Sequence, residues 1–318
     1  MNISASPIHM AISQQETLPA RSDNRTLEGI GWMFVTGLCF VTFTGIIRSL
    51  GSNLPAVESA FIRYLIGLIL MAPIIIKAFK VRLPRKVLAG FALRGLAHGI
   101  AVILWFYAMA RIPIAEVTAI GYTSTIFITL GAALFLGEKL RLRRMMGVLA
   151  GLAGAMIILR PGFQEISIGQ VAQMAAAPLF AISYLLAKRL TGFAKPEVIV
   201  AMLTVFCTLV LLPGAIMQWQ TPTLNEVMWL GLVAIIATLG HYTFTRALQA
   251  APISVTQPIT FLQLVWATLL GIILFNEPLD IYVMIGGGVI VAAATYISHR
   301  EAKASRQQIT PPAGSAKF

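Results

Sequence analysis

Residues 105–120 read WFYAMARIPIAEVTAI, and residues 244–259 read FTRALQAAPISVTQPI. Laid together at an offset of 139, Ala108 meets Ala247 and Pro113–Ile114 meets Pro252–Ile253. The register runs without a gap from 105 to 158, with 13 of 54 positions identical. Thr129–Leu130 falls on Thr268–Leu269, Glu138 on Glu277 and Gly147 on Gly286. At an offset of 140, Pro73 meets Pro213. Proline and glutamate landmarks held in one register are more than two apolar stretches share by accident. The chain reads as two copies of one unit.

That unit belongs in a membrane. Of the 318 residues, 58% are hydrophobic and only 11% charged, against about a quarter charged in soluble domains. The apolar residues fall into runs of the ~20 residues that a helix needs to cross ~30 Å of hydrocarbon. A lipid-embedded backbone must satisfy its own hydrogen bonds, so the runs are helices. The alternating ten-residue segments of a membrane barrel are missing. The spacing predicts helices over 27–47, 55–76, 87–110, 113–136 and 145–159, then 168–187, 196–217, 226–248, 254–275 and 281–298. The fold class is therefore all-α and integral to the membrane, with ten transmembrane helices. Five helices per copy make the second copy enter from the opposite face. This is an inverted repeat, an architecture that places a transporter's substrate site near mid-membrane. The expected units are 27–160 and 166–299, with disordered cytoplasmic tails at 1–26 and 300–318.

The formal net charge of +12 follows from topology. Lys77, Lys80, Arg82, Arg85 and Lys86 lie after the second helix, Lys139, Arg141, Arg143 and Arg144 after the fourth, and Lys188, Arg189 and Lys195 after the sixth. These loops share one side with both tails, and basic loops mark the cytoplasmic face. Both termini are thus expected inside, in a bacterial inner membrane, and nucleic acid is not needed to explain the charge. The N-terminal stretch has no basic start followed by an apolar core, so it does not read as a cleaved signal. Cys39 and Cys207 each sit in an apolar stretch and read as small packing residues.

Between the third and fifth helices the chain reads LFLGEKLRLRRMMGVLAGLAGAMIILRPG, and between the eighth and tenth LFNEPLDIYVMIGGG. With the Ala-x-x-x-Pro stretches above, these resemble the EamA-type members of the drug/metabolite transporter superfamily. The resemblance runs from about Leu27 to Ser298. It implies ten helices, both termini inside, and a central cavity lined by helices 1, 3, 4, 6, 8 and 9. The sequence resembles the branch of that family that includes bacterial riboflavin importers and S-adenosylmethionine carriers. Arg63, in its RYL context, resembles a common family feature and reads as structural. Glu138 and Glu277 resemble family landmarks at helix ends.

The candidate site follows from polar residues that share helix faces. Arg94, His98 and Trp105 lie four and eleven residues apart, on one face of a 3.6-residue helix. A membrane arginine normally faces the protein interior or a cavity. Thr118, Tyr122, Thr125 and Thr129 form one stripe in the fourth helix. In the ninth, its repeat mate, Gln257 lines up with Phe261, Leu264 and Thr268, Gln263 lies on a neighbouring face with Thr256 and Thr260, and Trp266 counts among the candidate cavity's aromatic residues. Tyr184 shares a face with Gln173 and Phe180, and His241 and Tyr242 cluster with Phe244. The expected substrate-binding set is Arg94, His98, Trp105, Thr118, Tyr122, Tyr184, His241, Tyr242, Gln257, Gln263 and Trp266. Glu58 and Glu116 occupy first helical turns, where the helix dipole favours acids, and read as helix-end residues. The glycines at 147, 151, 154 and 286–288 read as close-packing positions.

An intramembrane enzyme would need a nucleophile–base pair or a metal cluster. The chain has four histidines and shows neither HExxH nor GxSxG. No phosphate-binding loop is present either, so transport is expected to run on a substrate or ion gradient. No cofactor and no metal are expected. The expected partners are the lipid bilayer and a small-molecule substrate, and the expected state is a monomer or weak homodimer. Aromatic residues with amides and hydroxyls, and few carboxylates, suit a planar heteroaromatic substrate. Riboflavin uptake is the leading expectation. Export of amino acids or amphiphilic drugs, and S-adenosylmethionine carriage, are the alternatives.

Overall fold

Proline and capping residues set where the helices begin. Pro55, Pro84 and Pro113 stand at N-caps, and Pro196 is the first residue of its helix. In that position the missing N–H costs nothing and φ is already set. Ser167 with Gln170, and Thr223 with Glu226, form reciprocal capping boxes. Pro73, Pro178 and Pro213 lie inside helices, as membrane helices tolerate.

The computed structural model describes residues 19–80, 84–124, 126–128, 142–160, 165–251, 256 and 259–309. Among them are ten helices: α1 (Pro19–Leu50), α2 (Ala56–Phe79), α3 (Arg85–Met109), α4 (Ile114–Gly121), α5 (Leu142–Leu159), α6 (Ile168–Leu190), α7 (Pro196–Met217), α8 (Leu224–Ala250), α9 (Leu262–Phe275) and α10 (Ile281–Ile309). Six helices, α1–α3 and α6–α8, are long and apolar enough to cross a membrane. Shorter apolar helical stretches run over Ile114–Ile128, Leu149–Leu159, Leu262–Phe275 and Ile281–Ala293.

Some edges depart from expectation. The tails expected over 1–26 and 300–318 are helical where they are described, since α1 starts at Pro19 and α10 runs to Ile309. Residues 300–309 (REAKASRQQI) are mostly good helix formers with no Pro or Gly, so the helix continues past its apolar part. In the expected ninth helix, residues 256, 259 and 260 are helical, Phe261 is a turn, and α9 then runs from Leu262 to Phe275; 254, 255, 257 and 258 lie outside the described residues. Residues 129–136 of the expected fourth helix lie outside the described residues.

The outer surface is apolar. Ile69, Ile216 and Ile273 are 66%, 67% and 71% exposed, which suits lipid and not water. The contacts between helices instead use small side chains. Ala60, Ala101, Ala176, Ala237 and Ala247 are fully buried, and small residues let membrane helices approach closely. Gly154 of α5 and Gly286 of α10 show this best. A Cβ on either would come within 2.7 or 2.5 Å of the other's carbonyl oxygen.

Helix pairings come in matched sets. Moving each partner five places along the chain turns α1·α8 into α6·α3, α2·α8 into α7·α3, and α1·α9 into α6·α4. The pairs α2·α7, α4·α9 and α5·α10 map onto themselves. Polar cross-links then gather the helix ends. At one end of the bundle, Arg48 (α1) donates to the Met109 carbonyl (α3, 3.0 Å) and pairs with Glu277 beyond α9 (2.9 Å). Glu277 Oε2 also accepts the first amide of α4, Ile114 N–H, at 2.9 Å. Nearby, Glu116 accepts from Gln170, and Arg160 pairs with Asp280 at 2.5 Å. At the other end, Lys188 (α6) donates to the Leu248 carbonyl (α8), and Arg246 (α8) pairs with Glu28 (α1). Odd-numbered helices thus end where even-numbered ones begin. Lys188 and Leu248 stand 140 and 139 residues after Arg48 and Met109, so the two helix-end contacts repeat in the register of the sequence.

Candidate substrate cavity

The matched pairings leave a central cavity. Its wall is contributed by α1, α2, α3, α4, α6, α8 and α9, so it includes one helix, α2, beyond those the resemblance implied. Aromatic rings from α1, α2, α3, α4, α6 and α8 run through the lining. Phe43 meets Trp105 edge-on with centroids 5.7 Å apart, and Phe40 meets Phe43 at 5.3 Å. Phe180 stacks on Tyr184 at 6.0 Å, and Tyr184 leans on Phe244 at 5.2 Å. Two histidines join them. His98 and His241 face each other at 5.2 Å, and His98 also meets Phe180 at 5.2 Å.

Polar groups are interspersed among the rings. His98 Nδ1 lies 3.0 Å from Ser183 Oγ, a contact that fixes the ring between α3 and α6. Thr36 and Thr243 hydroxyls lie 2.9 Å apart across α1 and α8. The Tyr122 hydroxyl donates to the Thr260 carbonyl at 3.0 Å, tying α4 to the start of α9. Thr118 back-bonds to the Ile114 carbonyl of its own helix, as membrane threonines often do. Gln173 lines the wall with its Oε1 buried and without a donor. Gln263 and Arg63 line the wall as well, as do Thr44, Tyr64, Ser124 and Thr256.

Of the residues expected at the site, His98, Trp105, Thr118, Tyr122, Tyr184, His241 and Gln263 line this cavity. Three do not. Arg94 is 1% exposed and donates from Nη1 to the Ile199 carbonyl of α7 at 3.0 Å, so it joins helices behind the wall. Tyr242 turns toward the end of the bundle, where its hydroxyl accepts from Arg246 at 3.2 Å and its ring meets Trp32. Trp266 is 39% exposed on the outer surface. Gln257, Thr125 and Thr129 lie outside the described residues.

Sequence patterns do not single out Tyr64, Ser183 or Thr36. Arg63 reads as structural from its sequence context, yet it lines the cavity, while Arg94, expected in the cavity, joins α3 to α7. Ser183 is signalled only by its proximity to Tyr184 and has no pattern of its own. Among the described residues no carboxylate lines the cavity, and no group of His, Cys, Asp and Glu is placed to hold a metal.

Comparison with known proteins fits this geometry. A model of the EamA-like transporter family matches twice, over residues 27–160 and 167–299. A riboflavin transporter of Vibrio cholerae is 28% identical over 289 residues, 89% of this chain and 96% of that protein. An S-adenosylmethionine uptake transporter of Rickettsia bellii is 26% identical over 284 residues, 88% of this chain and 97% of that one. A crystal structure 19% identical in sequence superposes with a TM-score of 0.60, over 87% of this chain and 98% of the other. At that identity the likeness concerns the fold alone.

Proposed function

The chain belongs to the EamA-like transporter family, and from that footing we propose that it takes up riboflavin across a bacterial inner membrane. It is a multi-pass membrane transporter of small metabolites. In the proposed cycle the ten helices form two inverted five-helix repeats that rock against each other, so the cavity opens to one side at a time. This arrangement is supported by the paired contacts that repeat five helices on, and by a family model that matches once in each half. The basic loops and both termini face the cytoplasm in this reading, by the distribution of Lys and Arg.

The observation that carries the substrate reading is the wall itself. Its rings offer faces and edges to a flat heteroaromatic ring system, whose stacking supplies non-directional affinity. Donors and acceptors such as Gln173, Gln263 and His98 then set its orientation. A sulfonium cation such as S-adenosylmethionine would find an arginine and no carboxylate among the described residues of that wall. Like charge in a low-dielectric site is costly. This favours the flavin over the other uptake substrate found among relatives.

The test is growth of a riboflavin auxotroph that lacks its own importer. Expression of this chain should restore growth at low external riboflavin, and excess unlabelled S-adenosylmethionine should not compete for uptake. Normal membrane insertion without rescue would overturn the riboflavin assignment.

A further inference from the structure

Five arginines among the described residues donate to protein oxygens, and Arg63, in the cavity wall, does not. Arg48, Arg94 and Arg111 donate to backbone carbonyls, and Arg160 and Arg246 to carboxylates. Arg63 is 5% exposed and lines the cavity. Its guanidinium lies over the Tyr64 ring at 4.2 Å and 5.9 Å from the Phe43 centroid. Its Nε has no acceptor. Among the described residues, no carboxylate lies within ion-pair distance of it and no carbonyl accepts from it. Ring faces attract the cation, but they do not satisfy the five N–H donors that lie in the guanidinium plane. A charge held inside the membrane without a counter-charge is expensive and points to function. In the same wall, Gln173 is 2% exposed and holds the complementary deficit, an acceptor oxygen without a donor.

We propose that Arg63 is the substrate anchor and the charge filter of the cavity. Its fork takes a pair of adjacent acceptors on a planar substrate, either a ring nitrogen beside a carbonyl oxygen or a carboxylate. Gln173 takes a ring N–H of the same substrate. The uncompensated positive charge admits neutral or anionic compounds and rejects cations. This rests on the reading of the cavity as the transport site, and it names the class of molecule that site accepts.

The fork is the specific element. A lysine keeps the charge but loses the planar two-donor geometry. Replacing Arg63 with lysine should therefore preserve the rejection of cations while weakening the preferred ligands. Replacing it with glutamine should abolish both. Among the described residues the charge has ring faces but no carboxylate or carbonyl to lose. Those ring contacts stabilise less than an uncompensated membrane charge costs, so its removal should leave the unliganded protein at least as stable as the parent. Residues kept for function commonly cost stability.

The experiment uses the purified full chain in detergent, with three isoalloxazines that differ only in whether the N10 side chain ends in a carboxylate, a hydroxyl or an ammonium. Binding is read by quenching of flavin fluorescence, and the thermal midpoint is read without ligand. The parent should bind the carboxylate and hydroxyl compounds and discriminate against the ammonium. Arg63→Gln should lose at least ~10-fold in affinity for the first two, narrow the discrimination against the third, and melt no lower than the parent. Arg63→Lys should lose affinity and keep the discrimination. Unchanged affinity and discrimination in Arg63→Gln would overturn the proposal, and so would a clear drop in its unliganded midpoint. If the parent binds none of the three, the flavin reading fails, and the unliganded midpoint of Arg63→Gln still decides the anchor. A midpoint equal to or above the parent's supports the anchor, and a fall refutes it.

Discussion

Glu277 Oε1 lies 2.9 Å from Nη2 of Arg48, while Oε2 of the same carboxylate accepts the Ile114 amide. Asn276 makes this possible. It ends α9 in the left-handed conformation, φ 52, which asparagine adopts more readily than most residues, and the chain then turns Glu277 back over the bundle. Gly271 leaves the room, since a Cβ there would come within 2.6 Å of the carboxylate oxygen. The asparagine–glutamate landmark is thus a clasp joining α1, α4 and α9. Glu277→Gln keeps an acceptor for Ile114 but removes the ion pair and leaves Arg48 with its carbonyl contact alone. It should cost ~1–3 kcal/mol, read as a lower thermal midpoint in detergent. A double-mutant cycle with Arg48→Gln should show coupling of at least ~0.5 kcal/mol. Strict additivity would show that the clasp does not hold the bundle.

Gly154 and Gly286 predict a steric effect with no change in charge. Each faces the other's carbonyl oxygen, which is backbone and cannot swing away as a flexible side chain would. Alanine at either position should cost ~1–3 kcal/mol as an overpacked contact, and valine should prevent accumulation of folded protein. Parental stability for both alanine variants, measured by thermal unfolding, would contradict the close approach of α5 and α10.

Arg94 and Gln263 should part company under substitution. Arg94→Gln removes the donor to the buried Ile199 carbonyl and should destabilise by ~1–3 kcal/mol. The surviving folded fraction should transport at the parental rate. Gln263→Leu removes a polar group from the cavity wall without breaking a helix contact. The protein should fold normally and lose transport or change its substrate preference. Measuring membrane amount, thermal midpoint and uptake separately distinguishes the two cases. The opposite pattern would exchange their roles.

The all-helical class and the starts of several helices are legible because apolar length and proline placement are local signals. Pro55 and Pro113 open α2 and α4 within a residue of expectation. The site was less legible, and the pair Arg63 and Arg94 shows why. Helical period assigns a face but not a depth. Arg94 shares the face of His98 and Trp105, yet it sits one turn nearer the start of α3 than His98, where the neighbour is Ile199 of α7 and not the cavity. Arg63 looked ordinary because nothing local reveals a missing partner. Only the packing of α2 against α7 and α8 leaves its guanidinium facing the opening. Trp266 failed for a related reason. An aromatic residue on a membrane helix suits a cavity wall and a lipid-facing surface equally, and only the helix rotation separates them.

Counterflow in vesicles tests the central claim most directly. The purified chain is reconstituted into sealed liposomes preloaded with unlabelled riboflavin, without ATP or any imposed ion gradient, and diluted into trace labelled riboflavin. A secondary transporter of riboflavin exchanges the two pools, so label should rise transiently above its equilibrium level inside and then decay. Excess S-adenosylmethionine outside should leave that overshoot intact. Folded, correctly inserted protein that gives no overshoot beyond protein-free liposomes would contradict the account.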